Sequence, residues 1–233
     1  MRSFTFVPDF PASESSEPRA SRTAFPSYEQ RTTFGINPLQ DTWDVSFSAR
    51  TAANRDDIYA FLEARRGAEP FEWTTPFNES GAFVCTSWST SLDSCFLNTL
   101  TAKFELQHVP GGPNLTLPAA PTTAFSYIPD YAASQSYETQ STAMQFGEGY
   151  RQRLLFGLRP QKEEWRLVFN NRTNTERDLI RNYLRGAKAV TAFAWTDPRT
   201  AQPIRVVCDK WSTQYSNFNN SAIQATFRRV FEP

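Results

Sequence analysis

FEWTTP at positions 71–76 returns as FAWTDP at 193–198, 122 residues later. The pair is the visible part of a longer match. At the same offset Tyr28, Gln30 and Arg31 fall on Tyr150, Gln152 and Arg153, and Phe34 and Gly35 fall on Phe156 and Gly157. Pro38, Trp43 and Phe47 map to Pro160, Trp165 and Phe169, and Arg50 and Thr51 to Arg172 and Thr173. Arg55, Asp56, Ile58 and Leu62 then meet Arg177, Asp178, Ile180 and Leu184 before the two quoted stretches align. About 18 of the 49 positions from 28 to 76 are identical, where chance would give roughly three, so the chain repeats itself.

Slips of one residue extend the match at both ends. Offset 121 brings Phe4, Pro8 and Asp9 onto Phe125, Pro129 and Asp130, and offset 123 brings Cys85, Trp88 and Phe104 onto Cys208, Trp211 and Phe227. The period is too long for a solenoid unit and suits a whole domain. The 233 residues therefore read as two homologous domains, 1–109 and 125–233, each able to form its own core. Between them PGGPNLTLPAAPTTA (110–124) has the Pro and Gly content of an extended linker, about 50 Å long if drawn out.

Within each copy alternation dominates. Trp43, Val45 and Phe47 alternate with polar residues, as do Leu100, Ala102, Phe104 and Leu106; Trp165, Leu167 and Phe169, then Ile223, Ala225 and Phe227, repeat the pattern. These are half-buried strands. One amphipathic helix is expected over 53–66, with Ile58, Phe61 and Leu62 on one face, acids in its first turn and Arg65 and Arg66 in its last. In the second copy Ile180, Tyr183 and Leu184 repeat that face, and Thr173 and Glu176 have capping-box spacing. Short strands at FEWT and FVCTSW complete the expected class: α+β, mainly β, each domain a small antiparallel sheet or partial barrel covered by one helix. The charged end of the last strand, FRRVFEP, suggests an exposed or partner-facing terminus.

Composition narrows the function. Lys and Arg number 24, matching Asp and Glu, so the balanced charge argues against gripping nucleic acid or an anionic membrane. No apolar run reaches the length of a membrane span, and MRSFTFVPDFPASES lacks the apolar core of a signal peptide, so a soluble protein made in the cytoplasm is expected. Cys85, Cys95 and Cys208 form no CxxC, and His108 is the single histidine, so neither a structural zinc site nor any other metal or cofactor is expected; buried free thiols are. A Ser/His or Cys/His catalytic site would have to use His108, which sits at a strand end beside the linker and reads as an ordinary exposed histidine. Asp9 and Asp130 follow Pro as turn signals, and GEGY (147–150) reads as a hairpin turn. The paired tryptophans read first as core, with stacking on sugars or bases as the sharper alternative. Tyr28, Gln30, Arg31 and their matches Tyr150, Gln152 and Arg153 read either as a solvated strand face or as subunit contacts.

The order F-G-x-G-Y-x-Q-R, a Trp-containing strand, a helix ending Y-L, F-x-W-T-x-P, V-V-C-x-K-W and a final Phe-rich strand resembles the lambda-type phage minor tail protein M family. The second copy carries it best, as FGEGYRQR, FAWTDP and VVCDKW; the first departs, with FPSYEQR and FVCTSW. The resemblance implies a virion protein without catalytic residues, forming a ring between the distal end of the tail tube and the tip or baseplate hub. Its implied partners are further copies of itself, the tail tube protein and the hub protein. Three tandem chains would supply six similar domains to a sixfold tube, with six chains as the second arrangement. The implied lumen passes DNA without specific binding. A host-receptor or carbohydrate-binding module of the tail tip is the competing reading.

Overall fold

The computed structural model describes residues 1–24, 29–33, 35, 37–93, 97–113, 115, 117–139, 141–155 and 161–231. The first half carries β1 (Ser3–Phe4), β2 (Asp9–Pro18), β3 (Ala20–Ala24), β4 (Glu29–Thr33), β5 (Leu39–Arg50), α1 (Ala52–Arg65), β6 (Phe71–Thr74), β7 (Ser80–Leu92) and β8 (Asn98–Gln107). The second carries β9 (Ser134–Thr139), β10 (Ser141–Gln145), β11 (Arg151–Leu155), β12 (Gln161–Arg172), α2 (Asn174–Ala187), β13 (Phe193–Thr196), β14 (Pro203–Asn217) and β15 (Asn220–Arg229). The order of elements is the same from β2 and β9 onward. Even the short parallel pairing of Phe4 with Trp73 has its counterpart in the bridge of Phe125 to Trp195. The fold is the expected mainly-β α+β class in two similar halves.

Strand alternation builds two cores. In β5 Trp43, Val45 and Phe47 point inward with 0–3% exposure, and in β12 Trp165, Leu167 and Phe169 do the same. Phe4 sits at the centre of the first core, with the rings of Phe47, Phe61 and Phe104 edge-on at 5.2–5.8 Å; Phe125 holds that place in the second, against Phe169, Tyr183 and Phe227. Edge-on aromatic pairs add about 0.5–1.5 kcal/mol each beyond the area they bury. The FEWT and FAWT strands are β6 and β13, whose Trp73 and Trp195 are both 2% exposed.

Each helix is capped by a threonine. Thr51 Oγ1 accepts from Asn54 N, and Thr173 Oγ1 accepts from Glu176 N. With α1 starting at Ala52, no acid lies in its first turn, and the expectation for Asp56 and Asp57 is corrected: they fall in the second turn, where the helix dipole is largely spent. The C-caps Arg66 and Lys188 both turn left-handed.

Asp9 and Asp130 do more than turn the chain. Asp9 accepts from Ser48 N and from Arg50, and Asp130 from Asn170 N and Arg172, pinning the bulges that end β5 and β12. At those bulges Ala49 and Asn171 have φ of 51° and 53°.

The halves share one 11-stranded sheet, ordered β1-β6-β7-β8-β5-β2-β14-β15-β12-β9, with β13 on β14. Among the described residues the sheet is open and does not close into a barrel. β3–β4 and β10–β11 are separate two-stranded hairpins. Residues 110–113, 115 and 117–124 contain no helix or strand. Leu115 is nonetheless packed into the first core and Leu117 against the second.

Candidate functional site

The feature that sets the two halves in place is the seam between β2 and β14. β2 is antiparallel to both neighbours, pairing Ser13–Pro18 with β5 and Ala12–Ser16 with β14, in the register Ser16–Trp211, Glu14–Thr213, Ala12–Tyr215. On its inner face Ala12, Glu14 and Ser16 are 0–2% exposed, and across the seam Trp211, Thr213 and Tyr215 are 0–7% exposed.

Three arginines on α2, spaced four apart on one face, meet this seam: Arg177, Arg181 and Arg185, each no more than 3% exposed. Arg181 donates from Nε and Nη2 to the two oxygens of Glu14 and also to Glu79 at 2.9 Å. Arg185 donates to Asp41 at 2.8 Å and to Glu79 at 3.0 Å, while Ser16 Oγ donates to the other Asp41 oxygen at 2.6 Å. The Phe77 ring lies under both Arg177 (4.3 Å) and Arg181 (4.5 Å), and Arg177 also covers Tyr215 at 5.1 Å. Buried charges persist only when paired and hydrogen-bonded: the acids that hold Arg181 and Arg185 all come from the first half, while Arg177 pairs with Asp178 of its own helix at 2.7 Å.

Burial pushes the Glu14 carboxyl above the ordinary carboxylate range, and Arg181 pulls it back only in part. Burial also raises Glu79, but hydrogen bonds and charge from Arg181 and Arg185 outweigh it and hold that carboxyl low. Arg181 stays cationic because its two carboxylates more than offset burial.

A second contact reaches across the seam. The β3–β4 hairpin of the first half lies on the second half: Glu29 pairs with Arg228 at 2.5 and 2.8 Å, Arg22 with Asp209 at 2.6 Å, and Arg31 Nε donates to Val190 O at 3.0 Å. The charged C-terminal strand thus faces a neighbouring half of its own chain through Arg228. Its other arginine, Arg229, pairs with Glu163 at 2.8 Å.

Of the residues read in the sequence as either a solvated strand face or subunit contacts, Arg31 makes the hairpin contact just described and Gln30 lies beside it on β4. Tyr28 lies outside the described residues. Tyr150 is 65% exposed at the turn of the β10–β11 hairpin, and Gln152 and Arg153 are exposed on β11. Phe146 N donates to Tyr150 O, closing the GEGY hairpin turn.

Trp43, Trp73, Trp165, Trp195 and Trp211 are 0–3% exposed; Trp88 departs from the core expectation and is half-buried beside Tyr59. His108 also departs, being half-buried rather than exposed, with neither ring nitrogen hydrogen-bonded among the described residues. Cys85 and Cys208 are buried free thiols; burial pushes Cys85 up to about 11 and Cys208 well above its ordinary value, which makes both poor nucleophiles at neutral pH. Cys95 lies outside the described residues. Among the described residues no group of His, Cys, Asp and Glu is placed to hold a metal, and no helix is long and apolar enough to cross a membrane.

The sequence reading missed Glu14, Asp41 and Glu79 and the α2 arginines. A signal existed in the difference between the copies: Arg177, Arg181 and Arg185 align with Arg55, Tyr59 and Glu63, so a basic stripe stands in one helix where the other has a mixed one.

No curated protein matches the chain. The family model for phage minor tail protein matches residues 2–108 and again residues 123–231, one match for each half on either side of the seam. Two matches that together span nearly the whole sequence show that the chain belongs to the phage minor tail protein family, as a tandem pair of its domains.

Proposed function

We propose that this tail protein forms a ring at the distal end of the tail tube and joins the tube to the tip hub, with three chains supplying six domains. The observation that carries the reading is lateral: two copies of one domain are joined edge to edge through β2 and β14, and the matching edges, on the part of β7 beyond its pairing with β6 and on β9, lie at the two sides of the pair. A heterologous contact of this kind, repeated between chains, closes into a ring when its rotation allows. Three chains would present a sixfold pattern to a tube and a threefold one to a hub.

Two further features support this role. The outward alternation of β5 and β8, Thr42, Asp44 and Ser46 with Lys103 and Gln107, makes a polar face of mixed charge, suited to a lumen that passes DNA without gripping it. Val7 and Ile128, at matching places in the two halves, are each 75% exposed, so both domains offer an apolar residue in the same position to an axial neighbour. The sugar-binding reading has less support, since five tryptophans are committed to packing.

Native mass spectrometry of the assembled protein tests the reading. A species of about 80 kDa, three times the 26.6 kDa chain, is expected. About 160 kDa would give six chains and twelve domains, and cryo-EM of the intact tail would place the ring.

A further inference from the structure

The positions that form the internal seam on β14 and β2 have their counterparts on the distal part of β7 and at β9. On β14 Trp211, Thr213 and Tyr215 are buried under β2; the matching β7 residues are Trp88, half-buried, and Thr90 and Leu92, exposed, with Leu92 at 78%. On β2 Ala12, Glu14 and Ser16 are buried under β14; their matches are Ala133, just before β9, and Gln135 on β9, both half-buried, and Tyr137 on β9, 56% exposed. The sequences are related, so the difference in burial comes from the missing neighbour. Among the described residues the distal part of β7 pairs only with β8, and β9 only with β12, leaving two bare strand edges that present apolar side chains, which an isolated chain would normally protect. The β10–β11 hairpin is likewise exposed along both strands, with Met144, Phe146 and Leu155 47–66% exposed, where β3–β4 rests on a neighbour.

Two contacts of the internal seam recur at the bare edges with their partners exchanged. Glu29 on the first hairpin meets Arg228 on β15. The matching residues are Arg151 on the second hairpin and Glu105 on β8, again an acid and a base but exchanged. Phe77 lies under Arg181 of α2. Its match is Arg199, and the match of Arg181 is Tyr59 on α1, 40% exposed, so ring and cation are exchanged too. Crossed pairings fail: Arg151 against Arg228, or Glu29 against Glu105, would place like charges together.

We propose that β9 and the β10–β11 hairpin of one chain dock on β7, β8 and α1 of a second copy in the register of the internal seam. Ser136 then faces Ser89, Gln135 faces Thr90 and Ser134 faces Ser91; Arg151 pairs with Glu105, and Arg199 lies over Tyr59. The proposal rests on the ring reading and names the surface through which the ring closes. Of the internal ion network, Glu14, Glu79 and Arg181 match the neutral Gln135, Ala201 and Tyr59, while Asp41 and Arg185 match two acids, Glu163, already paired with Arg229, and Glu63, which is exposed, so this contact buries fewer charge pairs than the internal one.

The test uses the full chain carrying Ser89→Cys and Ser136→Cys. Residues directly opposite on antiparallel strands have Cα atoms about 4.5–5.5 Å apart, within reach of a disulfide. Mild oxidation is expected to give reducible dimers and closed rings, and neither single variant should do so. Glu105→Arg or Arg151→Glu alone should weaken assembly about tenfold by facing like charges, and the two together should restore it. Assembly without this crosslink and insensitive to the charge changes overturns the surface and leaves the ring reading standing. A disulfide confined within one chain also overturns the surface. A chain that stays monomeric at every concentration and never crosslinks overturns both.

Discussion

Arg181 holds both carboxylate oxygens of Glu14, at 2.6 Å from Nε and 2.5 Å from Nη2, across 167 residues of chain. Both side chains are at most 2% exposed, so loss of one leaves the other buried without its partner. Arg181→Ala should lower the unfolding free energy by about 3–5 kcal/mol, read by urea denaturation. Tyr59→Ala, at the matching place on α1, should cost about 1 kcal/mol or less. Glu14→Leu combined with Arg181→Met should recover much of the loss, because an apolar pair of similar volume carries no desolvation penalty.

Acid should loosen the seam through particular carboxylates. Glu79 and Glu29 are both held below the ordinary range: burial raises each, but Arg181 and Arg185 outweigh it at Glu79, as Arg228 does at Glu29. A carboxyl lowered on folding adds stability above its unfolded pKa, about 4.3, and that stability is lost as pH falls through the folded value. Glu14 is raised and works in the opposite sense, adding stability below about 4.3 and losing it as pH rises through its folded value. Melting temperature followed from pH 7 to pH 2 should therefore fall less steeply in Glu79→Gln and more steeply in Glu14→Gln than in the parent.

Gly186 is fixed by the linker. A Cβ there would lie 2.3 Å from Ala119 O, a backbone atom. Gly186→Ala gains about 1 kcal/mol of helix propensity but must displace residues 118–121, for a net loss of about 1–3 kcal/mol. Thermal unfolding should report the loss, and limited proteolysis should cut the displaced linker faster. At the matching exposed position of α1, Ala64→Gly should cost about 1 kcal/mol from propensity alone.

The paired bulges predict opposite signs. Ala49 adopts φ 51° without the local hydrogen bonding that lets asparagine tolerate that conformation, whereas Asn171 at φ 53° accepts from Asn220 Nδ2 at 3.2 Å. Ala49→Gly should stabilise by about 0.5–1 kcal/mol, and Asn171→Ala should destabilise by about 1 kcal/mol. Parallel chemical denaturation of the two variants checks the contrast.

The elements with apolar alternation were legible in the sequence, because Trp43, Val45 and Phe47, or Ile223, Ala225 and Phe227, declare which face is buried. β2 was not. Its sequence DFPASESSEP is buried through Ala12, Glu14 and Ser16, two of them polar, because it is paired on both edges and neutralised by an arginine far along the chain. A local pattern cannot carry that information. The α2 arginines were hidden for the same reason, since Arg at every fourth position normally marks a solvated helix face. The β3–β4 hairpin, ASRTA with EQRTT, has too few apolar residues to show a face at all. What betrayed the seam was the comparison of one copy with the other.

The β2–β14 seam is made within a single chain, and a short tether gives its two sides an effective concentration on the order of millimolar. It therefore forms at any dilution. In the proposed ring only contacts between chains answer to how much protein is present, so each encounter would add two domains at once and each departure would remove two. A homomer of single domains must use one surface for every neighbour, and a mutation there alters all of them together. Here the tethered surface and the open one are encoded separately, and each can change its chemistry without altering the other.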